Sequence, residues 1–320
     1  VLACQGGSLS SIATVFNRIP HRIHSPSPEL AIPYAKVGVE MEVENFKLNR
    51  SSIGKLLPNW DLHTEERSLR NKGMELTTAG GLVGKLLVDE IRLFCKIAKE
   101  KKWSEGFPRA GLHVHIDVTD MNADRDVDLL YFVQTYMLFE HALFSFAGEW
   151  RRSCGFCDSL LASQADWPYM GKMLLHWNYF DSMHLHPNYF SKYQALNFLP
   201  MKDFGTLEFR HLPQTFDDAR ILSWINLILA MKAYALTTRD GPMVDLQTNG
   251  PQRLFEMVFG EWAKPLVEHV SQAAVVEASR EVLSMEILLL EPPLDPWGNH
   301  DNPYLNIKLA KVKEKEPFAE

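Results

Sequence analysis

Three short segments alternate apolar and polar residues, and in each the polar members fall two residues apart. Lys36-Val-Gly-Val-Glu-Met-Glu-Val-Glu44 carries Glu40, Glu42 and Glu44. Gly111-Leu-His-Val-His-Ile-Asp-Val118 carries His113, His115 and Asp117, and Thr206-Leu-Glu-Phe-Arg-His-Leu212 carries Glu208 and Arg210. Successive side chains on a strand point to opposite faces, so residues two apart share one. Each segment therefore has an apolar side that must be covered, built from Val39, Met41 and Val43, from Leu112, Val114 and Ile116, and from Leu207 and Phe209. The other side presents carboxylates, imidazoles and a guanidinium.

Helical spacing separates these strands. The pattern predicts helices over 82–101, with Leu86, Ile91, Phe94 and Ile97 on one side, over 124–147 with an acidic start, and from a cap at Asp217 or Asp218 to about 236. Two more are expected at about 253–270 and 273–290, with a break at Pro265, and 73–78 reads as a short strand. The fold class is α+β, a few strands separated by long helices with a helical C-terminal third. Residues 1–35, rich in Ser and Pro, read as an irregular arm; 36–290 as the main folded domain; 291–320 as a Pro-rich and charged tail.

Composition narrows the function. A 320-residue chain with 46% hydrophobic residues can bury a full core without staples. A net charge of −7 carries no basic excess, which argues against nucleic acid as a partner. The apolar stretches 129–147 and 221–236 contain Gln134, Glu140, His141, Asn226 and Lys232, so they read as buried helices and no membrane span is expected. The N-terminal residues show neither a charged region nor a continuous apolar run of the signal-peptide kind. Cys4, Cys95, Cys154 and Cys157 are too few and scattered for a disulfide scaffold. The expected location is the reducing cytoplasm. Cys154-Gly-Phe-Cys157 lacks a second pair for zinc and reads as packing.

If the alternating strands pair in one sheet, their polar face collects at least three carboxylates, two histidines and an arginine. Like charges at that density are costly unless a cation neutralises them. Carboxylates with one or two imidazoles suit Mg²⁺ or Mn²⁺. Arg210 binds no metal, so a guanidinium beside such a cluster points to a phosphate or carboxylate as the shared ligand. Taken singly, Glu-x-Glu reads as a solvated face and Glu-x-Arg as a surface ion pair; together they read as a phosphate–metal site.

Gly38-Val-Glu-Met-Glu42, Gly73-Met-Glu-Leu76, Gly111-Leu-His-Val-His115 and Gly205-Thr-Leu-Glu-Phe-Arg210, in that order and spacing, resemble the amidoligase family of the glutamine synthetase-like carboxylate–amine ligases. Arg152 with Gly155-Phe-Cys157, Tyr193-Gln-Ala-Leu-Asn197 and Trp224 support the resemblance, which spans about 36–240. It implies a curved antiparallel sheet that carries the active site, packed with long helices. It also implies an enzyme that uses ATP with Mg²⁺ or Mn²⁺ to form an amide or isopeptide bond through an acyl phosphate. By that resemblance Glu40, Glu42, Glu75, His113 and Glu208 hold metal, while His115 and Arg210 serve the nucleotide phosphates and catalysis, with Arg152 beside the nucleotide. The family's Asp-Gly-Ser stretch is here Glu65-Glu-Arg-Ser-Leu69: Glu66 takes the aspartate's place as a catalytic candidate, and Arg67 replaces a glycine. The substrates implied are a small-molecule or peptide carboxylate and an amine, and a glutamine amidotransferase is a partner by analogy; the oligomeric state is open.

Two rival readings stand beside this one. A metal-dependent hydrolase would use the His-x-His pair, although such enzymes usually need further histidines on later strands. A non-catalytic scaffold would retain the ligase fold, and Arg67 favours it. The second His-x-His, His184 and His186, precedes Pro187 and reads as a solvated loop. Arg151 and Arg152 read either as phosphate or substrate ligands or as a charge pair at a helix end. His211 reads as structural, since it points away from the face that Arg210 occupies.

Overall fold

Four residues of the first strand show how the alternation is used: Val37, Val39, Met41 and Val43 are at most 1% exposed, while Lys36, Gly38, Glu40 and Glu42 between them are half-buried on the other side. The computed structural model describes residues 25–63, 68–70, 72–121, 127–162 and 191–290. Its strands are β1 (Lys36–Val43), β2 (Trp60–Leu62), β3 (Met74–Thr78), β4 (Leu82–Val83), β5 (Leu112–Asp117), β6 (Leu196–Asn197) and β7 (Thr206–Phe209). Its helices are α1 (Arg50–Leu56), α2 (Lys85–Glu100), α3 (Asp128–Ala147), α4 (Pro200–Phe204), α5 (Asp218–Thr237), α6 (Pro242–Phe259) and α7 (Gln272–Leu290). The seven strands form one sheet in the order β2-β3-β1-β5-β7-β6, with β4 on the start of β1, and every pair is antiparallel.

The helices cover the apolar side. Phe94 of α2 meets Trp60 of β2 with ring centroids 4.5 Å apart, and Phe132 and Tyr136 of α3 meet Phe209 of β7 at 6.0 and 5.8 Å. The C-terminal third is α5, α6 and α7, packed on one another and on α3. Asp217 is the cap of α5, its carboxylate accepting the Arg220 N–H at 3.2 Å. Among the described residues α5 is the helix long and apolar enough to cross a membrane, and 72% of its apolar window is buried within the molecule.

Three boundaries differ from the pattern. The helix expected over 82–101 starts at Lys85, because Leu82–Val83 pair with β1 and Gly84 intervenes at φ 56°. A side chain at Gly84 would come within 2.3 Å of the Ser25 carbonyl oxygen, so the arm packs directly on this turn. The helix expected at 253–270 with a break at Pro265 is instead α6, which begins at Pro242 and ends at Phe259. Its kink lies at Gly250 (φ 77°), because Pro251 lacks an N–H and disfavours helical backbone before it. Short β2, β6 and α1 have no period long enough to read.

Residues 25–35 run without helix or strand. Leu30 is buried, and the Asn226 side chain accepts from Ala31 N–H at 2.9 Å and donates to the Glu29 carbonyl at 2.8 Å. Residues 1–24 and 291–320 lie outside the described residues.

Candidate functional site

Strand register assembles the site. Glu40 of β1 stands opposite His113 of β5, His115 opposite Glu208 of β7, and Glu208 opposite Asn197 of β6. Directly opposed residues share a face, so four strands deliver these side chains to the side that the helices leave open. Gly38 and Gly111 make the room. A Cβ on Gly38 would sit 3.2 Å from His115 Cβ, and one on Gly111 would sit 2.7 Å from His113 Nε2.

The side chains meet at hydrogen-bond distance. His113 Nδ1 is 3.1 Å from Glu40 Oε2 and 3.2 Å from Glu208 Oε1. His115 Nε2 is 3.1 Å from Glu40 Oε1, while its Nδ1 is 3.1 Å from Thr206 Oγ1. Arg210 Nη1 donates to Glu208 Oε1, and Asn197 Nδ2 donates to Glu208 Oε2 at 2.6 Å. His113, His115, Glu208 and Asn197 are buried, whereas the Glu40 side chain is 25% exposed, so the cluster opens to solvent beside Glu40.

Burial by itself would raise the Glu40 carboxyl, but the His115 charge and hydrogen bonds from both imidazoles outweigh it and hold Glu40 well below the usual carboxylate range. Burial would lower His115, yet Glu40 and then Glu208 outweigh it, and His115 is raised. The cluster thus favours a proton on His115 beside the Glu40 carboxylate, and a metal cation bound there would compete with that proton.

The sequence-predicted residues divide. Glu40, His113, His115, Glu208 and Arg210 come together. Glu42 and Glu75 face each other across β1 and β3, and Glu42 accepts the Gly111 N–H. Glu44 leaves the face: β1 ends at Val43, and the Glu44 carboxylate turns to Arg109 at 2.8 Å and to the Arg70 N–H at 2.8 Å. Arg152 is not brought to the cluster. It is exposed and lies over the Phe144 ring, 5.0 Å to the centroid, with Nη2 3.4 Å from His141 Nδ1. Glu66, Arg67, His184 and His186 lie outside the described residues.

Sequence reasoning missed Asn197, Thr206 and the two space-making glycines as parts of the site. It also favoured Arg152 over Arg151. The latter is 2% exposed and donates from Nε to the His211 carbonyl at 3.0 Å and from Nη2 to the Arg210 carbonyl at 2.7 Å. His211 itself lies in the core, bonded to Tyr136 Oη at 3.0 Å. Cys157 is fully buried, and burial pushes its thiol up to about 12, which makes it unreactive.

One carboxylate oxygen each from Glu40 and Glu208 and one nitrogen of His115 lie within 4.8 Å of one another. A cation with ligands at about 2.0–2.3 Å spans donors up to about 4.6 Å apart, so little adjustment is needed to hold one. The donor chemistry, two hard oxygens with imidazole, fits Mn²⁺ and Mg²⁺. No protein-family model matches the chain, and no curated protein matches it.

Proposed function

We propose that the chain is an ATP-dependent carboxylate–amine ligase with a glutamine synthetase-like fold, forming an amide or isopeptide bond with Mg²⁺ or Mn²⁺. The observation that carries the reading is the guanidinium of Arg210 on Glu208, one of the three carboxylate and imidazole donors that converge from separate strands. A metal site alone has no use for a fixed cation. An anion shared between metal and guanidinium does, and phosphoryl transfer supplies one. The resemblance of the four strand motifs to amidoligases supports the same reading.

In such a reaction a substrate carboxylate oxygen attacks the γ-phosphorus and ADP departs. An amine then attacks the acyl carbon and phosphate leaves. Glu40, Glu208 and His115 would hold the cation, with His113 bridging the two carboxylates and Glu42 and Glu75 adjacent on the same face. The cation would neutralise phosphate charge. Arg210 would take up charge on the phosphoryl oxygens as it moves, which is the main demand this chemistry makes on a protein. Thr206 fixes the His115 ring from its Nδ1 side and leaves Nε2 for the cation.

Calorimetric titration with a non-hydrolysable ATP analogue, with and without Mg²⁺ or Mn²⁺, tests the proposal. Metal-dependent binding that is lost in Arg210→Ala, and ATP turnover abolished in a folded Glu208→Ala, are expected. Metal binding with no nucleotide affinity would overturn the reading in favour of a hydrolase. Neither would favour a scaffold.

A further inference from the structure

Arg151 is a buried cation with no anionic partner among the described residues. It is 2% exposed, and among the described residues no carboxylate lies within ion-pair distance of it. Its two hydrogen-bonded donors instead grip the carbonyls of consecutive residues, Arg210 and His211, where β7 ends. The third contact is the Trp150 ring, 5.5 Å from the guanidinium carbon. Burying a guanidinium carries the general desolvation cost of an ion, and neutral donors could hold the same two carbonyls without it. The return lies in where the charge sits. Arg151 Nη2 is 3.5 Å from the position a Cβ on Gly111 would take, and His113 Nε2 is 2.7 Å from that same point, so the guanidinium backs onto the open face next to the cluster.

We infer that Arg151 is the positioning residue that fixes Arg210, and that the two guanidinium groups make the β7 side of the open face a subsite for a phosphate-type anion. A planar fork on two successive carbonyls fixes the main chain from which the Arg210 side chain departs, as a single ammonium could not. The Arg210 side chain is held at its other end by Glu208 and, through Nε, by the Phe156 carbonyl at 3.5 Å. With both ends fixed, its free N–H groups keep one direction. The Arg151 charge adds to the field without touching the anion. The inference rests on the ligase reading for its substrate but names a simpler anion for its test.

The probe is pyrophosphate with Mn²⁺, titrated into the full chain by calorimetry, with Mn²⁺ alone as the control. Arg151→Gln is expected to keep Mn²⁺ affinity and to weaken pyrophosphate by about tenfold or more. Arg151→Lys, which keeps the charge and loses the fork, should recover only part of that, and it carries the test if the glutamine variant does not fold. A cycle with Arg210→Ala separates positioning from mere stabilisation: if Arg151 acts through Arg210, the double variant loses less than the two single losses combined. Full additivity, unchanged pyrophosphate affinity in Arg151→Gln, or a wild-type chain that binds no pyrophosphate with metal would each overturn the inference. Pyrophosphate binding without binding of the ATP analogue would instead remove the ligase reading and leave the subsite standing.

Discussion

Glu208 shows how little freedom a ligand carboxylate has on this face. One oxygen takes the Asn197 amide at 2.6 Å, and the other serves His113 and Arg210. Asn197 ends one of the quoted motifs but lies on a two-residue strand, too short for a period to place its side chain, so its bond to Glu208 was not legible, whereas Glu40, His113, His115 and Glu208 announced themselves by two-residue spacing between apolar neighbours. Asn197→Ala should lower Mn²⁺ affinity by about 10- to 100-fold, the usual cost of removing a group that orients a ligand. Unchanged affinity by calorimetry would show that Glu208 is oriented without it. Gly111 gives a second test at this scale. A methyl group there would stand 2.7 Å from His113 Nε2, and the backbone is not in the left-handed region, so Gly111→Ala should displace the imidazole while the fold persists. Loss of metal binding with an unchanged far-ultraviolet dichroism spectrum is the expected result. The choice between Arg151 and Arg152 was not legible either, since adjacent residues in a tight turn point apart and nothing in Arg-Arg says which faces the sheet.

Among the elements, α3 does more than cover the sheet. Glu140, near the middle of a helix whose apolar residues suggested only burial, is itself fully buried and accepts four hydrogen bonds: from Tyr136 Oη at 2.7 Å, Ser159 Oγ at 2.6 Å, and the Leu160 and Leu161 N–H groups at 2.6 and 3.1 Å. It thereby ties the turn at Leu160–Ala162 to the helix, and through Tyr136 it reaches His211 at the end of β7. Glu140→Leu strands these donors and should cost about 3 kcal/mol or more, read as a shift in the urea midpoint. A loss below about 1 kcal/mol would mean that the donors find water. By contrast Asp217→Ala removes a single capping bond from α5 and should cost about 1 kcal/mol. That cap was legible because an acidic residue stood immediately before a long apolar run. The kink in α6 was misplaced to Pro265 because two prolines compete, and the one that follows a glycine able to adopt φ 77° takes it.

For the molecule as a whole, His211 sets how stability responds to acid. The Tyr136 hydroxyl gives its only hydrogen to Glu140, so His211 must donate from Nε2, and its buried Nδ1 has no partner among the described residues. Burial first, then the charges of Arg151 and Arg152, push this imidazole down to about 3 from 6.5. In the unfolded chain it takes up a proton near the ordinary value. Between these limits the unfolded state binds more protons than the native one, so the contribution is complete above about pH 6.5 and drains away as pH falls towards about 3. The limiting slope for one such group is about 1.4 kcal/mol per pH unit. Glu44, held low by Arg70 and Arg109 against the cost of its burial, adds a loss only within the acid carboxylate range. In the window between about pH 6.5 and about pH 5 the raised His115 adds stability as pH falls while His211 loses it, so the His211 contribution is read as the difference between the protein and a variant at that position. Urea midpoints for the metal-free protein should drop further on going from about pH 6.5 to about pH 5 than those of His211→Gln, which keeps a donor where Nε2 stands and carries no titrating charge, although the variant is less stable at neutral pH. An equal fall in the variant would place the proton uptake elsewhere and would mean that the site brace at the end of β7 is insensitive to acid. If the slope is lost, the residue whose carbonyl Arg151 grips also limits the acid range over which the open face keeps its shape.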